Sequence, residues 1–449
     1  MVAATLATGA IVAIAPAASA AGAAGVGSTS FTAPVDLAAA GYGLDAAAAT
    51  DASATTTAIV TGDGAPKLLE RPAGGTWPAP ARLPGDPRGM KGPVLAAAGQ
   101  GALAIAWRVD LPRRYAGIQA ALRDPGGALS TPIVVADDSA NGVRHPALAI
   151  DPAGDTLLAY NADTRKSHLS MRGTVAIAYR PAHGSFATPV TVDDAPSQAP
   201  AVALAPDGTG IVAWARSARI YAVSIAQGDV GKVKAVAATK GINDLAVAAG
   251  PRGEATIAWS GSHDSDRRYQ VRALRRLAHR SFGRVRVVAS TRDYISEVAL
   301  AADETGRTTL AWPEDDYDSK TGPNGITTSV HTATAAPGHG FGTSHAVTAK
   351  GTRYQQSLSL AAANGRVALA WGYKRDSHHV GVQATVGSPT ALPPAQTVAS
   401  AALTANFYLT PPTAHVTLGP TGATTVLAVL PTQPDPRTIA SRLIATDGG

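Results

Sequence analysis

Apolar and polar positions along this chain repeat over a long period rather than a short one. An apolar phrase closed by an aromatic returns as ALAIAW at Trp107, TLLAY at Tyr160, GIVAW at Trp214, ATIAW at Trp259, TTLAW at Trp312 and VALAW at Trp371. Degenerate copies flank these, TTAIV ending at Val60 and TVLAVL ending at Leu430, and bring the positions to eight. The intervals run from 45 to 59 residues. That is the range of propeller blades, whereas helical solenoids repeat at shorter periods with helix-length apolar segments. A second register is independent of the first. An apolar residue precedes a Thr/Ser/Pro-plus-Val phrase at Phe31, Trp77, Leu129, Phe186, Val230, Phe282, Phe341 and Leu392. Four of the five phenylalanines stand there, and five of the six tryptophans stand in the first register, so two separate patterns give the same number of units.

Each unit resolves into four short runs. Between Pro200 and Ala238 they are PAVALA, GIVAWARS, RIYAVSIA and KVKAVA, all β-branched or alternating in character. Gly-bearing turns separate the first two runs of a unit, as in Asp151–Gly154, Pro206–Gly210, Asp303–Gly306 and Ala363–Gly365, where a hairpin needs positive φ. The pattern predicts an all-β chain: a single eight-bladed β-propeller of four-stranded antiparallel blades, with radial repetition protecting the sheet edges. Seven blades plus an irregular segment is the alternative, because LDAAAATDA at Leu44–Ala52 is a poor strand. The first phrase, at Phe31, belongs to a fourth strand and the last, TIASRLIA at Thr438–Ala445, to a third. The amino-terminal strand is therefore expected to complete the last blade.

Composition agrees with a ring that is held by burial. The chain has no Cys among its 449 residues, which removes disulfides, thiolate zinc sites, iron–sulfur clusters and cysteine nucleophiles. Its 95 alanines fill an interior poor in aromatics, which make up only 5%. A net charge of +6 without an arginine-rich stripe argues against nucleic acid as a partner. From Met1 to Thr32 there is no charge, and an Ala-rich apolar run ends in Ala18-Ser19-Ala20, a small-x-small cleavage pattern. Residues 1–20 thus read as a signal peptide, 21–29 as a flexible segment and 30–449 as the propeller, in a secreted or cell-envelope protein. No Lys or Arg precedes Lys67, so either the true start lies upstream of Met1 or this is not a working signal. No later stretch is long enough to span a membrane.

The phrase A-x-D-x-x-G followed by an apolar run and Trp resembles the secreted propeller repeats of high-GC actinobacteria, within the sialidase-like and WD40-like propeller superfold. The resemblance covers about residues 30 to 449 and implies fold more than activity, since propellers host many functions. Sialidase Asp-boxes place Asp, Gly and Trp in one tight hairpin. Here Asp207-Gly208 stands too far from Trp214, and the Gly-His and Trp-Asp dipeptides of WD40 blades are missing. The repeat Trp, at one fixed point of an inner strand, reads as a packing wedge between blades.

Sorting charges by loop concentrates them at one end, around the channel mouth, where second-to-third loops and inter-blade crossovers emerge. The expected ligand-binding residues are Arg108, Arg144, Arg292, Tyr294, Glu297, Arg353, Tyr354 and Arg375. Arg forks recognise carboxylates and phosphates, while neighbouring acids accept from hydroxyls. The expected function is that of a monomeric binding protein for a polar or anionic small molecule, glycan or peptide. No cofactor, no metal and no catalytic residue is assigned. The alternative is a sialidase-like glycoside hydrolase, because several Arg with a Tyr and an acid are general equipment for that chemistry. Glu314, Asp315, Asp316 and Asp318 with Asn324 offer oxygens to Ca²⁺, but Lys320 and Thr321 fall where a calcium loop wants an acid and a Gly. His378-His379 lacks the third ligand that zinc requires.

Overall fold

A computed structural model describes residues 30–40, 44–62, 65–85, 89–109, 117–137, 143–162, 173–263, 268–278, 280–317, 326–348, 352–353, 355–376, 378–402, 412–435 and 438–448. They form eight antiparallel sheets, each ordered from an inner to an outer strand. Blade 1 spans residues 45–82, blade 2 90–137, blade 3 143–197, blade 4 201–238, blade 5 244–291, blade 6 299–353, blade 7 355–402 and blade 8 413–448. Consecutive inner strands pack on one another, and the inner strand of blade 1 packs on that of blade 8, so the ring closes. In blades 4 and 6 the outer strand is split into two segments that pair with the same third strand.

The eighth blade is completed as the repeat order predicts. Val35–Ala40 pairs antiparallel with Thr438–Gly448, and a bridge joins Phe31 to Gly448. The Thr32 N–H donates to the Asp447 carbonyl at 2.7 Å, and the Thr446 hydroxyl donates back to the Thr32 carbonyl at 2.6 Å. The strand that seemed weakest, Asp45–Thr50, is regular and pairs along its whole length with Thr56–Thr61. Its four alanines suit an inner position, where neighbouring blades approach most closely. The seven-blade alternative is excluded.

Both sequence registers converge on the seams between blades. Eight hydrophobic clusters occur, one for each pair of adjacent blades. The aromatics stand on the second strand, one step out from the axis, rather than on the inner strand. From there each reaches back into the preceding blade. Trp214 inserts among Ala147, Ala149, Leu157 and Ala159 of blade 3, and Trp259 among Ala201, Ala203 and Ala213 of blade 4. Alanine is required opposite because a larger side chain would occupy the space the indole fills. All five repeat tryptophans are at most 1% exposed, which makes them core. The second register closes the outer end of the same seams. Phe31, Trp77, Leu129, Phe186, Val230, Phe282, Phe341 and Leu392 each pack against a different one of the eight clusters.

Two glycine positions show how local chemistry serves this packing. Gly208 adopts φ +76 in the first hairpin of blade 4, as the turn needs. Gly210, on the following strand, leaves room for Leu157 of blade 3, whose Cδ2 would lie 2.8 Å from an added Cβ. Acidic side chains hold the hairpins from inside. Asp151 Oδ1 accepts the N–H groups of Ala153, Gly154 and Asp155, and Asp303 Oδ1 accepts those of Thr305 and Arg307.

Two outcomes follow. Trp214→Ala should lower unfolding free energy by about 3–5 kcal/mol in urea denaturation, because the alanine slot of blade 3 cannot collapse onto the cavity. Removing residues 30–40 should leave Thr438–Gly448 as an open edge, seen as a lower thermal midpoint and as dimers or larger species in light scattering. An unchanged midpoint and a monomeric profile would show that the ring closes without that strand.

Candidate functional site

Much of the mouth falls outside the described residues. That holds for Asp86 and Arg88, Asp110, Asp138, Asp163 to Lys166, Asp264 to Arg267, Asp318, Asn324 and Tyr354, and for the side chains of Arg144 and Arg353. Their backbones place Arg144 opposite Asn161 in blade 3 and Arg353 opposite Thr327 in blade 6. Arg108 stands one residue before the end of the second strand of blade 2, half-buried and opposite Lys91. Arg375 is exposed, and its Nε donates to Asp376 Oδ2 at 3.4 Å. Arg292 is exposed on the crossover into blade 6 and has no partner among the described residues. The sequence set is thus distributed over blades 2, 3, 6 and 7 and the crossovers between 5, 6 and 7.

In blade 4 the second and third strands meet in a tight turn at Ser217, φ +53, and the local geometry is fully described. Asp193, on the outer strand of blade 3, is 5% exposed and accepts from Trp214 Nε1, Arg216 Nη1, the Ser197 hydroxyl and the Ala195 N–H. The Arg216 guanidinium lies over the Tyr221 ring, 4.3 Å from its centroid, and that ring stacks on Trp214 at 6.1 Å. By its place between two apolar runs, Asp193 would be a loop charge. Instead it is an anchor that satisfies the indole N–H and a half-buried cation across the seam.

A related stack stands at the same register in blade 6, where His331 lies on Trp312 at 5.9 Å. Trp312 Nε1 donates to Glu314 Oε1 at 2.9 Å. Ser329 Oγ lies 2.9 Å from His331 Nε2, and Glu314 Oε2 lies 3.8 Å from that same nitrogen. A nucleophile relay needs base and orienting acid on opposite ring nitrogens, so this trio is not arranged as one. Burial holds the His331 imidazolium below its ordinary pKa, against the pull of Glu314 and Asp293.

Tyr294 and Glu297 share a crossover but face different partners. The Tyr294 ring meets Tyr269 edge-on at 5.0 Å, and its backbone exchanges two 2.8 Å hydrogen bonds with Asp315. Glu297 turns into the axial channel, where its Oε1 accepts the Leu358 N–H at 3.1 Å. The acid whose charge acts on the Tyr294 phenol is accordingly Asp315 rather than Glu297. Among the described residues no three His, Asp or Glu side chains stand where they could share a metal ion. The described helices include none long and apolar enough to cross a membrane.

The opposite end carries charge that sequence sorting undercounted. Arg71 of blade 1 pairs with Asp447 of blade 8, Arg123 of blade 2 with Glu70 of blade 1, and Arg180 of blade 3 with Asp124 of blade 2. The last is bidentate, at 2.8 Å on both arms, and holds the Asp124 carboxyl below its ordinary pKa. Arg276 of blade 5 reaches the Ser224 hydroxyl of blade 4. These arginines end third strands and each bridges to the blade before.

No protein-family model and no curated protein sequence matches the chain. Solved structures do. A polysaccharide lyase of family PL25, an ulvan lyase, is 12% identical over 78% of this chain and 95% of that one, with a TM-score of 0.44. A prolyl endopeptidase is 12% identical with a TM-score of 0.49, covering 90% of this chain but only 54% of that one. The α-L-arabinanase of Penicillium chrysogenum is 11% identical over 63% of this chain and 94% of that one, at a TM-score of 0.37. At such identities these are likenesses of fold.

Asp193→Ala should cost about 3 kcal/mol or more in chemical unfolding followed by tryptophan fluorescence, because it strands the Trp214 N–H and the Arg216 cation. Arg216→Ala should cost less, since its side chain is 29% exposed and solvent replaces part of the contact.

Proposed function

We propose that this chain is an exported or envelope-associated, monomeric propeller that binds a polar or anionic ligand, a glycan or a peptide, on its mouth face without catalysis. The observation that carries the reading is the unequal use of charge at the two ends. Four far-end arginines, Arg71, Arg123, Arg180 and Arg276, are held in bridges between blades. At the mouth, Arg292 stands exposed without a partner among the described residues, and the Arg375 guanidinium bonds to its own neighbour Asp376. Arg292 sits on the same crossover as Tyr294 and two residues from it, beside an edge-to-face tyrosine pair. An exposed guanidinium beside phenol rings suits a carboxylate or sulfate flanked by hydroxyls. Rigid scaffolds gather such groups on loops at one end. Arg108, Arg144, Arg353 and Tyr354 are the further residues that the sequence assigns to this ligand. Export rests on the Ala18-Ser19-Ala20 pattern and the uncharged run before it.

Changing Arg292 and Arg353 together to Ala should leave stability within about 1 kcal/mol and weaken at least tenfold the binding of any acidic saccharide or peptide found on a broad array. Unchanged binding would remove these residues from the site. Turnover of a fluorogenic sialoside by the unaltered protein would replace the binding reading with the hydrolase one.

A further inference from the structure

Where neighbouring inner strands meet at the axis, a side chain of one blade caps a backbone N–H of the next. Between blades 7 and 8 the caps are hydroxyls: Ser357 Oγ accepts from Ala414 N at 3.2 Å and Ser359 Oγ from Val416 N at 3.0 Å. Between blades 5, 6 and 7 they are carboxyls. Asp244 Oδ2 accepts from Val298 N at 2.9 Å, and Glu297 Oε1 accepts from Leu358 N at 3.1 Å. A third carboxyl, Asp315, is 1% exposed. It accepts from the Thr328 hydroxyl at 2.7 Å through Oδ1, while its buried Oδ2 has no hydrogen-bond partner.

These three acids lie in series. Asp244 is within electrostatic reach of Glu297, Glu297 of Asp315, and Asp315 of Asp293 on the crossover. No Lys or Arg among the described residues is bonded to any of the three. Tyr294 faces Asp315 as a neutral phenol, and His331 stands beyond it against Glu314 and Asp293. Across the channel His415 of blade 8 lines the same cavity with its Nε2 unpartnered, and burial pushes its pKa down to about 4. Asp244 and Glu297 are half-buried in this narrow channel, whose other lining is Ala, Val and Leu with the hydroxyls of Thr50, Ser359 and Thr417. Its cavity, about 60 Å³, has room for few waters beside the two carboxyls. An uncompensated buried carboxylate is neutralised by a proton rather than left charged.

We propose that the seams between blades 5, 6 and 7 form a proton-operated clasp: Asp244 and Glu297 join the blades while they and the neighbouring Asp315 are protonated, and the seams loosen when these acids ionise. Burial moves each group accordingly. It raises Asp244 to about 6, Asp315 to about 7, and Glu297, with Asp244 beside it, to about 8. In the unfolded chain carboxyls titrate near 4. The native state therefore binds more protons than the unfolded state between about pH 4 and 8. The clasp's contribution is complete below about pH 4 and is lost as pH rises through about 6 to 8, opposite to the usual acid lability of salt-bridged carboxylates.

The test uses the full chain and the double variant Glu297→Gln, Asp315→Asn, which keeps an acceptor oxygen at each position but cannot ionise. The thermal midpoint of the unaltered protein should fall as pH rises from 5 to 9 relative to the variant, with the variant the more stable at pH 9. Parallel curves would overturn the clasp. Should the variant not fold, hydrogen exchange on the unaltered protein decides. Corrected for intrinsic rate, Val298 and Leu358 should lose protection between pH 6 and 8, while Ala414 and Val416, capped by hydroxyls, keep theirs. Equal behaviour at both seams would overturn the proposal. So would millimolar calcium abolishing the alkaline fall, because a cation rather than protons would then be the neutralising partner.

Discussion

In six of the eight seams an aromatic side chain, and in the other two Val60 or Leu430, is driven from one blade into an alanine-lined slot of the blade before it, and on this contact the ring depends. Eight seams must share one width for the sheets to close without an edge. Trp107, Trp214, Trp259, Trp312 and Trp371 meet that demand with the largest side chain available, and Tyr160 meets it with a smaller one in the seam between blades 2 and 3. The composition follows from this geometry. A chain with 95 alanines and few aromatics is what results when every bulky wedge needs small residues on the facing strand. Without a disulfide, closure falls to strand pairing, and Val35–Ala40 supplies the missing outer strand of blade 8.

The wedges sit on second strands, and this leaves the inner strands thin-walled around a narrow channel. Backbone groups at the ends of those strands cannot be reached freely by water, so neighbouring blades cap one another. Asn243 donates to the Ile295 carbonyl at 2.7 Å, Thr50 meets Thr417 at 2.7 Å, and serine or carboxyl caps serve elsewhere. The choice of cap decides the chemistry of each seam. Hydroxyl caps are indifferent to pH, whereas carboxyl caps bring ionisable groups into a place that cannot solvate charge.

The same economy separates the two ends of the propeller. At the far end, the third strands of blades 1, 2 and 3 finish in arginines whose partner acids on the previous blade lie within salt-bridge distance. At the mouth some charge is also structural, as Asp193 shows beneath Trp214 and Arg216. What is left over is a small set of exposed groups on crossovers, Arg292 foremost.

Blade number, strand number per blade, the closing strand and the core role of the tryptophans were all legible in the chain. Each rests on local apolar periodicity, which a repeat displays many times over, and even the poor strand at Asp45–Thr50 inherits its place from the other seven. The sites were less legible. Asp193 and Glu297 look like loop charges in one dimension because nothing local says that Trp214 Nε1 or the Leu358 N–H will arrive beside them from another blade. The pairing of Trp214 with Tyr221 could have been read across the short turn at Ser217, but that of Trp312 with His331 spans a long loop of unknown register. Repetition determines how a blade folds, because that depends on neighbours in sequence. Only the closed ring decides which polar groups lose their water, because that depends on neighbours in space.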